Sequence, residues 1–349
     1  MRNWPRSVMA GVVLGCLAFA GAFAAEPFTT TARSTGPRAR VVTVQDSQAT
    51  EAYCPLPERI AAMVERGLKA ITGKASTREA WLSLLSTQDV VGIKVYSTPG
   101  PNSGTRPDVA ATVAKSLIAA GLAPHQIIVW DKSEVDLREA GFFDLADELG
   151  IRVAASASVG YDPTNSYDTP LLGNLTWGDF EFGRTGEGIG RKSFVSKLVS
   201  REMTKIINLT PMLNHNSAGV SGNLYGLAIG SVDNTLRFEA DPSRLAKAVP
   251  EIYALASIGD KVVLSITDAL ICQYEGGQRG LLHYSTVLNQ LRFSRDPVAL
   301  DVLSAKELDR QRRTAKAPYV KPNFELYVNA NLLELGVNDV TRIQVETLK

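Results

Sequence analysis

Residues 89–131 read DVVGIKVYSTPGPNSGTRPDVAATVAKSLIAAGLAPHQIIVWD, and this stretch decides the fold class. An apolar strand over 89–97 is followed by a Pro- and Gly-rich loop and a helix with Thr105 as its candidate N-cap. A second apolar strand then ends at Asp131. Strand–helix–strand units with continuously apolar strands are typical of a parallel sheet covered by helices on both faces. The stretch therefore predicts an α/β fold.

The rest of the chain extends this pattern. A helix over about 134–149 and a strand "IRVAAS" come next, and the strands "TKIINLT" and "DKVVLSITDAL" follow later. The segment around 157–192 is rich in Gly and aromatic residues, and we expect an irregular insertion with a hairpin at "LTWGDFEFG". We predict a mainly parallel sheet flanked by helices in Rossmann-like layers. Residues 39–349 would form a single domain, or two lobes over about 39–156 and 193–349.

The N-terminus has the pattern of an export signal. Residues 1–25 carry two Arg before an apolar run and end in small residues, which predicts a signal peptide. Residues 26–38 then form a linker-like start. The mature protein would be periplasmic or secreted, and lipidation at Cys16 is the alternative. We see no later apolar run long enough to span a membrane.

Composition excludes several classes of protein. The formal net charge is +1, which gives no electrostatic basis for binding nucleic acid. Beyond the predicted signal peptide only Cys54 and Cys272 remain, so we expect no iron–sulfur cluster. Whether these two cysteines pair stays open, as does the oligomeric state.

Charged and polar residues stand where predicted strands end. Lys94, Asp131 and Asp268 occupy such positions, and His215 follows a third strand. Ligands of open α/β sheets bind outside the carboxyl ends of strands, so these four residues and the Thr105–Arg106 loop are candidate site residues. His215 is the sharpest candidate, because an imidazole can act as base, acid or metal ligand near neutral pH.

Each of these candidates could instead have a purely structural role. His215 would be a structural residue of a turn, Asp131 and Asp268 would cap turns, and Lys94 would lie at an edge with its ammonium in water. A divalent metal held by His215, Asp131 and Asp268 is one option, although the cofactor stays unknown. The Gly-rich loop after His215 adds candidate ligand-binding residues, namely Asn214, Gly219, Ser221, Gly222 and Asn223.

Several motifs together resemble the domain-of-unknown-function 362 (DUF362) family over roughly 89–340. These are "GIKV", "TRPDV", "IIVWDKSEVDLREAGF", "IINLTPMLNHNSAGVSGNLYG", "ITDAL", "RDPVALD" and "ELGVND". The resemblance implies an α/β fold and a ligand or metal site, with no settled reaction. It marks Lys94, His215, Asn223, Asp296 and Asp301 as the matching positions. Family members usually carry Lys where this chain has Asn214 and Gly222, which weakens the case for chemistry on an anion.

These observations favour an exported α/β protein with a polar ligand or metal site centred on His215 and Lys94. A non-catalytic periplasmic binding protein for a small anionic solute or a metal is the alternative. A scaffold that binds another protein is the third hypothesis. Whether the protein is an enzyme stays open at this point.

Overall fold

A mixed sheet of nine strands runs through the computed structural model, which describes residues 38–317 and 324–349. The predicted signal peptide, Cys16 and all but the last residue of the linker-like segment lie outside the described residues. The strands are β1 (Ala39–Gln45), β2 (Thr50–Glu51), β3 (Cys54–Pro55), β4 (Val91–Lys94), β5 (Ile127–Asp131), β6 (Arg152–Ala155), β7 (Tyr161–Asp168), β8 (Lys192–Ser196), β9 (Lys205–His215), β10 (Gly219–Val220), β11 (Val262–Gln273), β12 (Ser285–Ser294) and β13 (Ile343–Leu348).

Helices cover both faces of this sheet, as the α/β prediction requires. They are α1 (Pro57–Thr72), α2 (Thr77–Leu82), α3 (Pro107–Ala120), α4 (Glu134–Glu139), α5 (Phe142–Leu149), α6 (Ser156–Val159), α7 (Asn223–Ser231), α8 (Leu236–Glu239), α9 (Pro242–Tyr253), α10 (Pro297–Ala315) and α11 (Glu325–Leu332). None of the helices in the described ranges is both long and apolar enough to cross a membrane.

Strand β5 shows why the strands read as continuously apolar. Ile127 and Val129 pack into the core cluster that contains α1 and α3. Ile128 and Trp130 pack into the cluster that contains α7 and α9. Successive side chains of a strand point to opposite faces, so a sheet covered on both faces needs apolar residues at every position.

The strand order is β13-β1-β12-β11-β9-β4-β5-β6, with β10 added beside β9. The strands from β11 to β6 in this order are parallel, and β13 is parallel to β1. Strand β12 is antiparallel to both of its neighbours, β11 and β1. The prediction of a mainly parallel sheet is therefore confirmed, and the sheet is mixed. The loop between β11 and β12 is too short for the helical crossover that parallel neighbours require.

Two local predictions were wrong. The expected single helix over 134–149 is divided into α4 and α5, because Gly141 between them adopts a left-handed φ of +86°. The segment "LTWGDFEFG" forms turns and no strands. The hairpin of this region is instead formed by β7 and β8, which lie on either side of that segment.

The chain reverses its direction across the sheet beside β4. Strands β4, β5 and β6 are added outward in sequence, and the chain then returns to place β9 on the other side of β4. In open α/β sheets, the crevice outside the carboxyl ends of the strands at such a reversal is the usual place for a ligand. The strand order therefore predicts a ligand crevice at the carboxyl ends of β4 and β9.

Candidate functional site

Helix α7 packs against the ends of β4 and β9. All nine of its residues are buried. A Cβ atom on Gly226 would lie 3.7 Å from side-chain atoms of Thr210 and Tyr96, and one on Gly230 would lie 2.3 Å from Cε of Lys94. Gly230 thus allows the helix to approach the carboxyl end of β4 closely, whereas Gly226 leaves space for a methyl group.

Lys94 and Asp131 form a buried ion pair at the ends of β4 and β5. Lys94 Nζ lies 2.7 Å from Asp131 Oδ1 and donates a second hydrogen bond to the carbonyl of Val95 at 2.6 Å. The Asp131 carboxylate also accepts from the backbone N–H and hydroxyl of Ser97 and from the backbone N–H of Lys132. Burial lowers the pKa of Lys94, and the Asp131 carboxylate opposes this. Both predicted site residues are therefore engaged with each other.

Arg106 and Asp268 form a second buried pair. Arg106 Nη1 lies 2.8 Å from Asp268 Oδ2, and Arg106 Nη2 donates to the carbonyls of Asn102 and Ile271. The other Asp268 oxygen accepts from the backbone N–H of Leu270 at 3.1 Å. This pair connects the loop after β4 to the second half of β11.

Thr105 ties the same loop to β9. Its hydroxyl accepts from the backbone N–H of Tyr96 at 2.9 Å and donates to the carbonyl of Leu209 at 2.9 Å. The expectation that Thr105 caps α3 was wrong, because Arg106 occupies the N-cap position and Pro107 begins the helix.

His215 closes a tight hairpin at the end of β9. Its Nδ1 accepts from the backbone N–H groups of Ser217 at 3.2 Å and Ala218 at 3.0 Å. Gly219 pairs with His215 across the hairpin and has a φ of +85°, which favours glycine. The imidazole packs on the ring of Tyr225, with 4.2 Å between ring centroids.

Burial lowers the pKa of His215 to about 4, and the nearby Glu239 carboxylate opposes this shift. The imidazole is therefore neutral near pH 7. Because Nδ1 accepts two hydrogen bonds, the proton of the neutral ring belongs on Nε2.

Asn223 and Asp301 are joined at the start of α7. Asp301 Oδ1 accepts from the backbone N–H of Asn223 at 2.7 Å and from its Nδ2 at 2.9 Å, and Oδ2 accepts from the Leu224 N–H at 2.9 Å. A Cβ on Gly222 would lie 2.2 Å from Asp301 Oδ1, so the carboxylate needs a glycine there. Burial raises the pKa of Asp301 to about 6. Asp301 thus accepts hydrogen bonds from the backbone N–H groups at the N-terminus of α7. The absence of a side chain at Gly222 leaves space for the Asp301 carboxylate.

The remaining candidates make most of their contacts within the protein. Asn214 donates to Asn216 Oδ1 at 2.8 Å and accepts from the guanidinium of Arg312. The backbone N–H of the buried Ser221 donates to the Leu213 carbonyl at 2.9 Å, whereas the Ser221 hydroxyl is buried without a hydrogen-bond partner among the described residues. Asp296, which the family resemblance singles out, is the N-cap of α10.

Across residues 38–317 and 324–349, no three His, Cys, Asp or Glu side chains are grouped so that they could hold a metal ion. The three candidate ligands His215, Asp131 and Asp268 each have the separate partners described above. Cys54 is exposed and Cys272 is buried, and both are free thiols.

A cavity of about 150 Å³ remains between α7 and the ends of β4 and β5. Asp131 is the one predicted site residue that lines it. The other polar side chains of its lining come from several separate segments and are Tyr96, Thr98, Lys132, Tyr225, Glu239 and Gln278.

Tyr225 is at the centre of the hydrogen bonds in this cavity. Gln278 Nε2 donates to the Tyr225 hydroxyl at 2.7 Å, and that hydroxyl lies 3.1 Å from Glu239 Oε2, to which it donates. Lys132 Nζ donates to Thr235 Oγ1 at 2.7 Å. The charges of Lys132 and Glu239 attract each other across the cavity, but the hydrogen bonds that Lys132 Nζ and Glu239 Oε2 form are to Thr235 and Tyr225 and not to each other. The cavity thus contains one ammonium and one carboxylate that are not neutralised by direct contact.

Four of the residues that line the cavity were not among the predicted site residues, namely Lys132, Tyr225, Glu239 and Gln278. Lys132 directly follows Asp131 at a strand end, and Tyr225 lies within the motif "NLYG", so both had a detectable signal. Glu239 and Gln278 stand in segments without any such pattern, and only the fold brings them here.

A larger groove of about 800 Å³ lies among α1, α2, α3 and α5. Exposed helix positions such as Glu58, Ala119 and Glu148 contribute to its walls. Its position among the covering helices is less favourable for a small ligand than the reversal point of the sheet.

The chain matches one model of a known protein family. The model described as "Domain of unknown function (DUF362)" matches residues 91–306. The chain belongs to the DUF362 family. The region that matches DUF362 runs from β4 into α10, so it includes both ion pairs and every side chain that lines the small cavity.

The chain is also similar to a solved structure, a Thermotoga maritima protein determined by the Northeast Structural Genomics Consortium. The two share 13% sequence identity with a TM-score of 0.42, over 77% of this chain and 61% of the other. No curated protein matches this DUF362 chain.

Proposed function

We propose that this protein binds a small polar solute in the cavity between α7 and the ends of β4 and β5. The observation that carries the proposal is the position of the cavity outside the carboxyl ends of β4 and β5, beside the reversal point of the sheet, with polar side chains converging on it from separate segments. The site is centred on Tyr225 and Lys132. His215 and Lys94 support it, His215 through the Tyr225 ring and Lys94 through Asp131.

The size of the cavity limits the ligand. Its volume is about 150 Å³. An engineered apolar cavity of about this size in another protein binds benzene, so a ligand of about six non-hydrogen atoms fits. Drug-sized ligands occupy pockets of about 300 Å³ or more.

The candidate catalytic groups already have hydrogen-bond or ion-pair partners within the protein, which favours binding over catalysis. Proton transfer needs a group whose pKa lies near the working pH. His215 has a pKa of about 4 and uses Nδ1 within its own turn, and Lys94 is held by Asp131. The apolar N-terminal segment further supports an exported binding protein, in the periplasm or outside the cell. No grouping of described residues supports the metal alternative.

A thermal-shift screen tests this function. Wild type is heated with a panel of small carboxylates, amines, amino acids and polyols, beside Gly226→Leu, which adds four carbon atoms at a position that lines the cavity. A solute at 100 times its Kd adds about 2.7 kcal/mol of stability, so we expect Tm to rise by a few degrees in wild type. We expect no rise in Gly226→Leu.

Ala119→Leu is the matched control, because it adds a similar side chain to the large groove on the helical layer. It should respond to the solute as wild type does. The proposed function would be contradicted if no solute raised the Tm of wild type. It would also be contradicted if a solute raised the Tm of Gly226→Leu as much as that of wild type.

A further inference from the structure

The charges of the cavity define a class of ligand, and this inference rests on the proposed function. We propose that the ligand is a compact zwitterion, such as a free amino acid with a small side chain. Its carboxylate would bind Lys132, and its ammonium would bind Glu239.

Lys132 supplies the cation of the site. Its ammonium has three donors, of which one is used by Thr235 Oγ1. Burial lowers the pKa of Lys132, while the carboxylates of Glu239, Asp179 and Asp233 oppose the shift. A ligand carboxylate at this position would also favour the charged ammonium.

Glu239 supplies the anion. It is the last residue of α8 and is partly buried. Its Oε2 accepts from the Tyr225 hydroxyl at 3.1 Å. An ionised carboxylate has about four acceptor sites, so this one hydrogen bond leaves acceptor capacity for a ligand ammonium.

The other ionised groups at the cavity are already neutralised. Asp131 accepts hydrogen bonds from Lys94, Ser97 and the backbone of Lys132, two on each oxygen. The Lys94 ammonium has no exposed surface. A ligand in the cavity therefore meets one available cation, Lys132, and one available anion, Glu239, on separate segments of the chain. A molecule that carries both charges can pair with each of them.

The walls of the cavity restrict the rest of the ligand. Tyr96, Tyr225 and Ile229 are buried and enclose it. After a carboxylate and an ammonium are accommodated, a volume of about 150 Å³ leaves room for only a methyl-sized side chain. L-alanine, with about six non-hydrogen atoms, is the appropriate probe.

Isothermal titration with three matched probes tests the inference on the wild-type protein. L-alanine carries both charges. Propionate lacks the ammonium, and isopropylammonium has a methyl group in place of the carboxylate. Loss of a charge-assisted hydrogen bond weakens binding by about tenfold or more, so we expect L-alanine to bind at least tenfold more tightly than either analogue.

Two charge-removing variants then assign the contacts. Lys132→Met and Glu239→Gln should each weaken L-alanine binding by about tenfold or more. The same substitutions at an exposed ion pair, Lys115→Met and Glu148→Gln, should leave the affinity unchanged. The three-probe comparison needs no variant, so it decides the inference even if a variant fails to fold.

Propionate or isopropylammonium binding as tightly as L-alanine would overturn the zwitterion. If that binding disappears in Gly226→Leu, the proposed function survives. Absence of binding by all three probes would also overturn the zwitterion, and the wider solute panel would then decide the proposed function separately.

Discussion

Two glycines one helical turn apart on α7 give opposite predictions for the same substitution. At Gly226 an added Cβ meets Thr210 and Tyr96 at 3.7 Å, an ordinary van der Waals distance. Replacing a helix-interior Gly by Ala contributes about 0.5–1 kcal/mol through helix propensity. We therefore expect Gly226→Ala to raise the free energy of unfolding by about 1 kcal/mol.

At Gly230 the same methyl group would lie 2.3 Å from Cε and 2.9 Å from Nζ of Lys94. Lys94 is fully buried and held by Asp131 and Val95, so displacing its ammonium would break these contacts. Overpacking costs about 1–3 kcal/mol, and breaking a buried ion pair costs about 3–5 kcal/mol. After the propensity gain, we expect Gly230→Ala to lower the free energy of unfolding by about 1–4 kcal/mol.

Urea unfolding of the two variants beside wild type measures this difference, with the unfolding midpoint and the m-value fitted separately. An unchanged m-value makes the midpoint shift a stability difference. If Gly230→Ala were as stable as Gly226→Ala, the close packing of α7 on Lys94 would be refuted. The description of the cavity, which depends on that packing, would fail with it.

Two further predictions concern the buried groups around the cavity. The pKa of His215 is about 4 in the folded protein, below its ordinary 6.5, so its contribution to stability is complete above pH 6.5. That contribution should fall by up to about 3 kcal/mol as the pH drops towards 4. Urea unfolding at pH 7 and pH 4.5 should therefore show a smaller loss of stability in His215→Gln than in wild type. Equal losses in the two proteins would contradict the lowered pKa of His215. Arg106→Met should cost about 3–5 kcal/mol by leaving Asp268 buried without its partner. Lys115→Met, at an exposed ion pair, should cost less than about 1 kcal/mol, and equal midpoints for the two would show that the Arg106 pair is not buried.

The sequence predicted the fold where local patterns determine it. The apolar strands and intervening helix of residues 89–131 appear as β4, α3 and β5. It did not predict the antiparallel neighbours of β12, because strand pairing depends on which distant segments meet. Gly141 divided a helix that apolar spacing alone had made continuous.

The contacts of the candidate site residues could not be predicted from the sequence. The strand-end rule selected Lys94, Asp131 and Asp268, and in the structure Lys94 pairs with Asp131 while Asp268 pairs with Arg106. Their partners could not be predicted, because Lys94 and Asp131 are 37 residues apart and Arg106 and Asp268 are 162 apart. A side chain that is satisfied within the protein has the same sequence pattern as one that awaits a ligand.

The most direct test of the small-solute site is a crystal structure of the protein with the tightest-binding member of the solute panel. We predict ligand density beside the Tyr225 hydroxyl, within hydrogen-bond distance of Lys132 Nζ and Glu239. Density in the groove among α1, α2, α3 and α5 instead, with an empty cavity beside Tyr225, would contradict the account.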